Sequence, residues 1–362
     1  MFLLLGLALT GCGYQPLHAE GDARLDWQSL PDLPNDLGVA GPFVGVHQDA
    51  LIVAGGANFA RPVWDSNKQW HDQIHVLQKT ASGYQWIDGG TLPKPVGYGA
   101  SVSTPDGVVC LGGNDAGATF DAVFALQWDA STETVRTVDY PSLPRSCAYG
   151  QATLIGDVIY LAGGQSDSDI SSAMNNFWSL DLSQRNHPDA FVWRELSAWS
   201  DEPRAFNLTT AQHDGYEDCV YVISGRRGSR EGIEFLRDVW QYTPRSGTWR
   251  QKQDVPRSVC AGTAIGFGQS HLFVLGGDDG SLFDMADELK DEHPGFPREA
   301  LAFHTITNTW TSLGPIPSNQ VTTTAVYWGG RIVVASGEVR PRVRTPAVWS
   351  IAPVVQQSGS AP

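Results

Sequence analysis

A small-residue doublet recurs six times at the end of an apolar run, and no other feature restricts the fold of this chain as much. It closes LIVAGG at Gly56, VVCLGG at Gly113, VIYLAGG at Gly164, CVYVISG at Gly225, LFVLGG at Gly277 and IVVASG at Gly337. Successive doublets lie 51 to 61 residues apart, a period that suits one four-stranded propeller blade. After each comes a variable loop and then a short apolar strand: IHVL, AVFAL, FWSLDL, VWQY, LAFHT and AVWSI. A fourth strand follows, usually carrying Trp (Trp86, Trp193, Trp249, Trp310), and ends at Leu-Pro or a similar turn.

The sixth unit has no fourth strand of its own, because AVWSIAP is followed only by a short polar tail. Leu25 to Pro31 has the missing pattern at the other end of the chain. The period is that of kelch repeats, and the expected fold is all-β: a six-bladed kelch-type β-propeller with four strands per blade. The N-terminal strand completes the last blade and closes the ring. Residues 25–353 are then one domain, followed by a tail over 354–362. The 39 Gly, 22 Pro and 13 Trp, with only 17% charged residues, fit short strands, tight turns and aromatic packing. A net charge of −15 argues against binding nucleic acid or an anionic membrane surface.

Met1 to Leu9 is almost wholly apolar, and Leu9-Thr10-Gly11-Cys12 resembles the lipobox of bacterial lipoproteins, although no Lys or Arg precedes it. The resemblance implies a signal peptide over 1–11, lipidation at Cys12, a tether to residue 24, and a place in the periplasm or cell envelope. The membrane would be met only through that anchor. Cys110, Cys147, Cys219 and Cys260 show no zinc-type spacing, and no metal is expected. An oxidising compartment permits disulfides, with 110–147 and 219–260 the pairs to test. Buried free thiols are the alternative.

In an antiparallel blade the 2–3 loops and the 4–1 connections emerge at one face. Ten of the nineteen arginines fall there: Arg61, Arg226, Arg227, Arg230, Arg340, Arg342 and Arg344 in the former, Arg145, Arg204 and Arg257 in the latter. A guanidinium fork suits a carboxylate, so an anionic small molecule is the expected ligand. One loop mixes charge types, Gly337-Glu338-Val339-Arg340-Pro341-Arg342-Val343-Arg344-Thr345, where a carboxylate amid three cations can serve as a base or acceptor. The bland alternative is a surface ion cluster of little energetic weight.

Gly337-Glu338, Pro341 and Arg344-Thr345 have the spacing of the catalytic loop of the N-acetylneuraminate epimerases (sialic acid mutarotases), a family of periplasmic kelch proteins. Residues 38–59, GVAGPFVGVHQDALIVAGGANF, resemble a late blade of that family, and here they come first, as in a cyclic permutation. Residues 224–242 resemble another of its blades. The loop 278–299, with Phe283 and a helical turn expected near Asp287 to Asp291, sits where the family has an insertion. The resemblance implies conversion of α- to β-N-acetylneuraminate by ring opening, without a cofactor. Glu338 would be the acid/base, Arg344 would hold or polarise the substrate, and Arg204 and Arg226 would be further contacts. A non-catalytic kelch module that binds an acidic glycan or a protein is the competing reading. A copper radical oxidase is disfavoured, because no Cys falls in the 2–3 loops. Oligomeric state and the particular acidic sugar are left open.

Overall fold

The structure is a computed structural model, and it describes residues 25–354. Cys12, the signal peptide, the tether and all but the first residue of the tail lie outside the described residues. Six four-stranded antiparallel sheets follow one another along the chain. Blade 1 is built from Phe43–His47, Ala50–Ala54, Gln73–Thr80 and Gly83–Thr91, and blades 2 to 5 repeat the pattern. Blade 6 takes Ala325–Trp328, Arg331–Ala335 and Val348–Pro353 from the C-terminal end. Its fourth strand is Leu25–Leu30, in continuous register from Leu25 opposite Pro353 to Leu30 opposite Val348. An Arg331–Asp26 ion pair at 2.8 Å pins the same closure.

The core lies between blades. Second strands such as Ala50–Ala54 are buried along their whole length, so they read as continuous apolar runs. Six apolar clusters each join two consecutive blades. The cluster holding Leu30, Val53, Leu77, Trp328 and Val333 joins the last blade to the first. The fourth-strand tryptophans add one inter-blade hydrogen bond each. Nε1 of Trp86, Trp193, Trp249 and Trp310 donates to the carbonyls of Pro31, Pro141, Ser197 and Gln253, at 2.7–3.0 Å. Each acceptor follows the fourth strand of the preceding blade, which is why Trp recurs at that place.

Cys110 and Cys219 lie in second strands. Cys147 and Cys260 do not begin strand 1 of their blades; they sit in the connection ahead of it, where the chain crosses the preceding doublets. All four are buried free thiols. Burial pushes Cys147 and Cys260 up to about 12 and Cys219 to about 11, so these thiols stay protonated at neutral pH.

Candidate active site

The recurring doublet builds the site. Its second glycine has φ between 91° and 116° in all six blades. A Cβ added there would come within 2.6–2.9 Å of the segment that leads into a strand 1. That close crossing lets the segment form a bridge to the residue just after each doublet: Ala40 to Ala57, Gly97 to Asn114, Ala148 to Gln165, Ala205 to Arg226, Cys260 to Asp278 and Val321 to Glu338. These six positions are equivalent around the axis, and three of them are charged. The residues next to the bridges, Gly41, Tyr98, Tyr149, Phe206, Ala261 and Thr322, form a closed ring. The N–H of each donates to the carbonyl of the one before it, and that of Gly41 to Thr322, at 2.6–2.7 Å. Tyr98, Tyr149 and Phe206 stack in sequence on this ring, with centroids 4.8 and 4.4 Å apart.

Glu338 opens a two-stranded hairpin, Glu338–Arg340 with Val343–Arg344, in which Glu338 stands opposite Arg344. The six-residue spacing seen in the sequence is therefore a cross-strand pair. Glu338 Oε1 lies 3.1 Å from Arg344 Nη1 and accepts the Arg342 backbone N–H at 2.8 Å. The ion contact is close but lacks the alignment of a full hydrogen bond, since Nη1 has no hydrogen-bond partner. Arg344 is buried, its side chain 3% exposed. It donates to Tyr98 Oη at 3.2 Å and Ala57 O at 3.3 Å and covers the Phe59 ring. Burial alone would lower its pKa; the Glu338 carboxylate and the Tyr98 hydroxyl outweigh that and raise it. Burial holds the Tyr98 phenol above its usual range, so the hydroxyl stays neutral.

Glu338 lines a cavity of about 500 Å³, together with Arg226, Asp278, Phe206, Phe283 and Arg298. Such a volume is in the range of small-ligand sites. The blade 5 insertion forms one wall through short helical turns over 283–292, where the sequence placed its helical turn, and Arg340 ties this wall to the Glu338 hairpin by gripping Asp291 at 2.9 Å. The Arg226 guanidinium lies over Phe206 at 4.0 Å and Phe283 at 5.0 Å, and its buried Nε has no partner. A cation held on aromatic faces, with no ion pair among the described residues, is a ready anchor for an anion.

Arg204 is not brought to the site. It is fully buried; its two terminal nitrogens grip the Asp238 carboxylate at 3.0 and 2.6 Å, and one also donates to Ser224 O at 3.1 Å. A guanidinium so enclosed has no face to offer a ligand, which corrects its expected substrate contact. Arg344, likewise, stands behind Glu338 rather than on the cavity wall, where it fixes the carboxylate. Among the ten arginines only Arg226 lines the cavity: Arg257 binds the carbonyls of Ser258, Gly276 and Glu299, Arg227 pairs with Glu202 and Glu234, and Arg342 covers Phe59 and Trp64. The sequence reading missed Tyr98, Tyr149, Asp278 and Arg298. The position after each doublet was a signal that could have found Asp278. Among the described residues no cluster of three His, Cys, Asp or Glu side chains is arranged to hold a metal.

Comparison with known proteins matches residues 100–337 to the KLHDC2/KLHL20/DRC7 kelch-repeats domain and residues 15–135 to the N-acetylneuraminate epimerase model. An N-acetylneuraminate epimerase of Yersinia pestis is 38% identical over 29% of this chain and 30% of its own length. One of Haemophilus influenzae is 29% identical over 57% of each chain, and one of Brucella suis is 33% identical over 32% of this chain and 33% of its own. The chain thus spans between about a third and somewhat over half of the lengths of these relatives. A kelch model covering most of the propeller and six blades closed by the N-terminal strand together place the chain: it belongs to the kelch-repeat propellers, and part of its length is similar to the N-acetylneuraminate epimerases.

Proposed function

We propose that this propeller is a mutarotase of N-acetylneuraminate, converting the α- to the β-anomer by acid/base-assisted ring opening. The observation that carries the reading is the Glu338 carboxylate on the wall of a cavity that also holds Arg226, whose buried Nε lacks a hydrogen-bond partner. Mutarotation requires removal of the anomeric hydroxyl proton and delivery of a proton to the ring oxygen. Glu338, fixed by Arg344 and the Arg342 amide, is the base for the first step, a role that commonly contributes about 10²–10⁴-fold. Arg226 faces the sugar's carboxylate, and the aromatic rings beneath it exclude water from the contact. The residues supply both functions themselves, so the proposal needs no cofactor. The name of these relatives agrees with this substrate class.

The test is NMR of freshly dissolved α-N-acetylneuraminate with and without purified protein. Wild type should accelerate anomer exchange, and Glu338→Gln should lower that acceleration by roughly 10²-fold or more while sialate binding persists. Exchange at the spontaneous rate with wild type would leave the non-catalytic glycan-binding reading in its place. Undiminished activity of Glu338→Gln would keep the enzyme and overturn the site. The proposal also takes the chain to be a cyclically permuted branch of the family, exported and anchored to a membrane through lipidated Cys12.

A further inference from the structure

We infer that Asp278 is the second proton-transfer residue of this cavity, giving its proton to the sugar's ring oxygen while Glu338 takes the proton of the anomeric hydroxyl. The inference rests on the mutarotase reading and deepens it. Asp278 and Glu338 are the same residue of the blade repeat on neighbouring blades: each follows its doublet directly, and each is held by the equivalent bridge, to Cys260 and Val321. Both line the cavity, and Arg226, at the equivalent position of blade 4, completes a run of three consecutive blades with a charged group there.

The two carboxyls have opposite surroundings. Glu338 faces a guanidinium at 3.1 Å. Asp278 accepts the Gly280 N–H at 2.9 Å and makes no ion pair among the described residues. Burial, with weaker support from the Asp279 and Glu338 charges, holds the Asp278 carboxyl above the ordinary carboxylate range; the Gly280 amide and Arg226 oppose this without overcoming it. Arg257, on the connection into blade 5, also feels the Asp278 charge, and the neighbouring Cys260 thiol is protonated. A buried carboxyl that holds its proton beside a second carboxylate at the equivalent place suits the role of the acid.

The step balances. The anomeric O–H proton passes to Glu338, and the O–H electron pair becomes the second bond of the carbonyl. The bond from the anomeric carbon to the ring oxygen breaks, its electron pair stays on that oxygen, and the Asp278 proton is captured there. Rotation in the open chain presents the other carbonyl face. Closure runs both transfers backwards and restores protonated Asp278 and ionised Glu338, with no external reactant consumed.

The experiment is anomer exchange of N-acetylneuraminate followed by NMR across pH for wild type, Asp278→Asn and Asp278→Glu. Wild-type kcat should fall on the alkaline side as Asp278 loses its proton. Asp278→Asn should lower kcat by roughly 10²-fold or more, with KM little changed and the alkaline limb gone. Asp278→Glu should retain measurable exchange with that limb displaced. An Asp278→Asn protein with wild-type kcat and an unaltered pH profile overturns the inference and leaves the mutarotase reading standing. Wild-type protein that does not accelerate exchange overturns the reading itself. Should Asp278→Asn not fold, Asp278→Glu carries the test, and an undisplaced limb in that variant overturns the inference.

Discussion

Replacing Arg204 by Met tests whether this arginine is a ligand contact or a structural cation. Met fills much of the same volume but leaves the Asp238 carboxylate, whose side chain is only 22% exposed, without its partner. Breaking a buried ion pair from one side commonly costs about 3–5 kcal/mol, and the residual exposure of Asp238 favours the lower end. With about 2.1 cal/mol/K of unfolding entropy per residue, roughly 330 residues of propeller give about 0.7 kcal/mol/K, so a loss of about 3 kcal/mol lowers Tm by roughly 4 °C. The sign of the pH dependence follows from Asp238. Burial would raise its pKa, but hydrogen bonds and charge from Arg204 outweigh burial and hold it below the ordinary value. The stability this pair contributes is present above the ordinary carboxylate range and is lost as pH falls through the depressed pKa. In Arg204→Met the unpaired acid protonates at higher pH, so the gap between the two proteins is largest at neutral pH and shrinks towards pH of about 4. Calorimetric melts at neutral and acid pH measure both effects. An Arg204→Met protein that melts within a degree of wild type at pH 7, yet shows a raised KM for the sugar, would refute the structural role and return Arg204 to the binding site.

Arg344→Lys keeps the charge but loses the fork that reaches Glu338, Tyr98 and the Ala57 carbonyl together, so the exchange rate should fall and stability should drop by about 1–3 kcal/mol, lowering Tm. A Tm equal to wild type in calorimetry would contradict the buried geometry of this arginine. Deleting residues 1–34 removes the strand paired with Val348–Pro353 and exposes its edge, so size-exclusion chromatography should show association. A truncated protein that stays monomeric with an unchanged Tm would count against the ring closure. Metabolic labelling with a palmitate analogue should mark wild type and spare Cys12→Ser; equal labelling of the two would rule out Cys12 as the anchor.

The sequence by itself determined the features whose causes lie within one repeat. Six doublets were legible because the glycine conformation and the close crossing of the next segment recur at the same place in every blade. The fourth-strand tryptophans were legible because each makes the same bond to the blade before it. The missing sixth strand was legible because a blade left at three strands has an open edge and Leu25 to Leu30 has the pattern to fill it. Glu338 and Arg344 were singled out by the resemblance of their loop to the family's catalytic loop, whereas the hairpin that sets them opposite one another was seen only in the structure. Tertiary structure decided which arginine is available. Arg204 and Arg226 look alike in sequence, both in loops of the same face, yet Asp238, just ahead of the third strand of the same blade, neutralises Arg204, while Phe206 on the connection into that blade and Phe283 from the next blade's insertion hold Arg226. It likewise decided that Tyr98 would support Arg344 and that Asp278 would share a cavity with Glu338. Burial and charge compensation are set by groups apart in sequence: Asp238 reaches Arg204 from within the same blade, Phe283 reaches Arg226 from the next, and Tyr98 reaches Arg344 only because the ring closes.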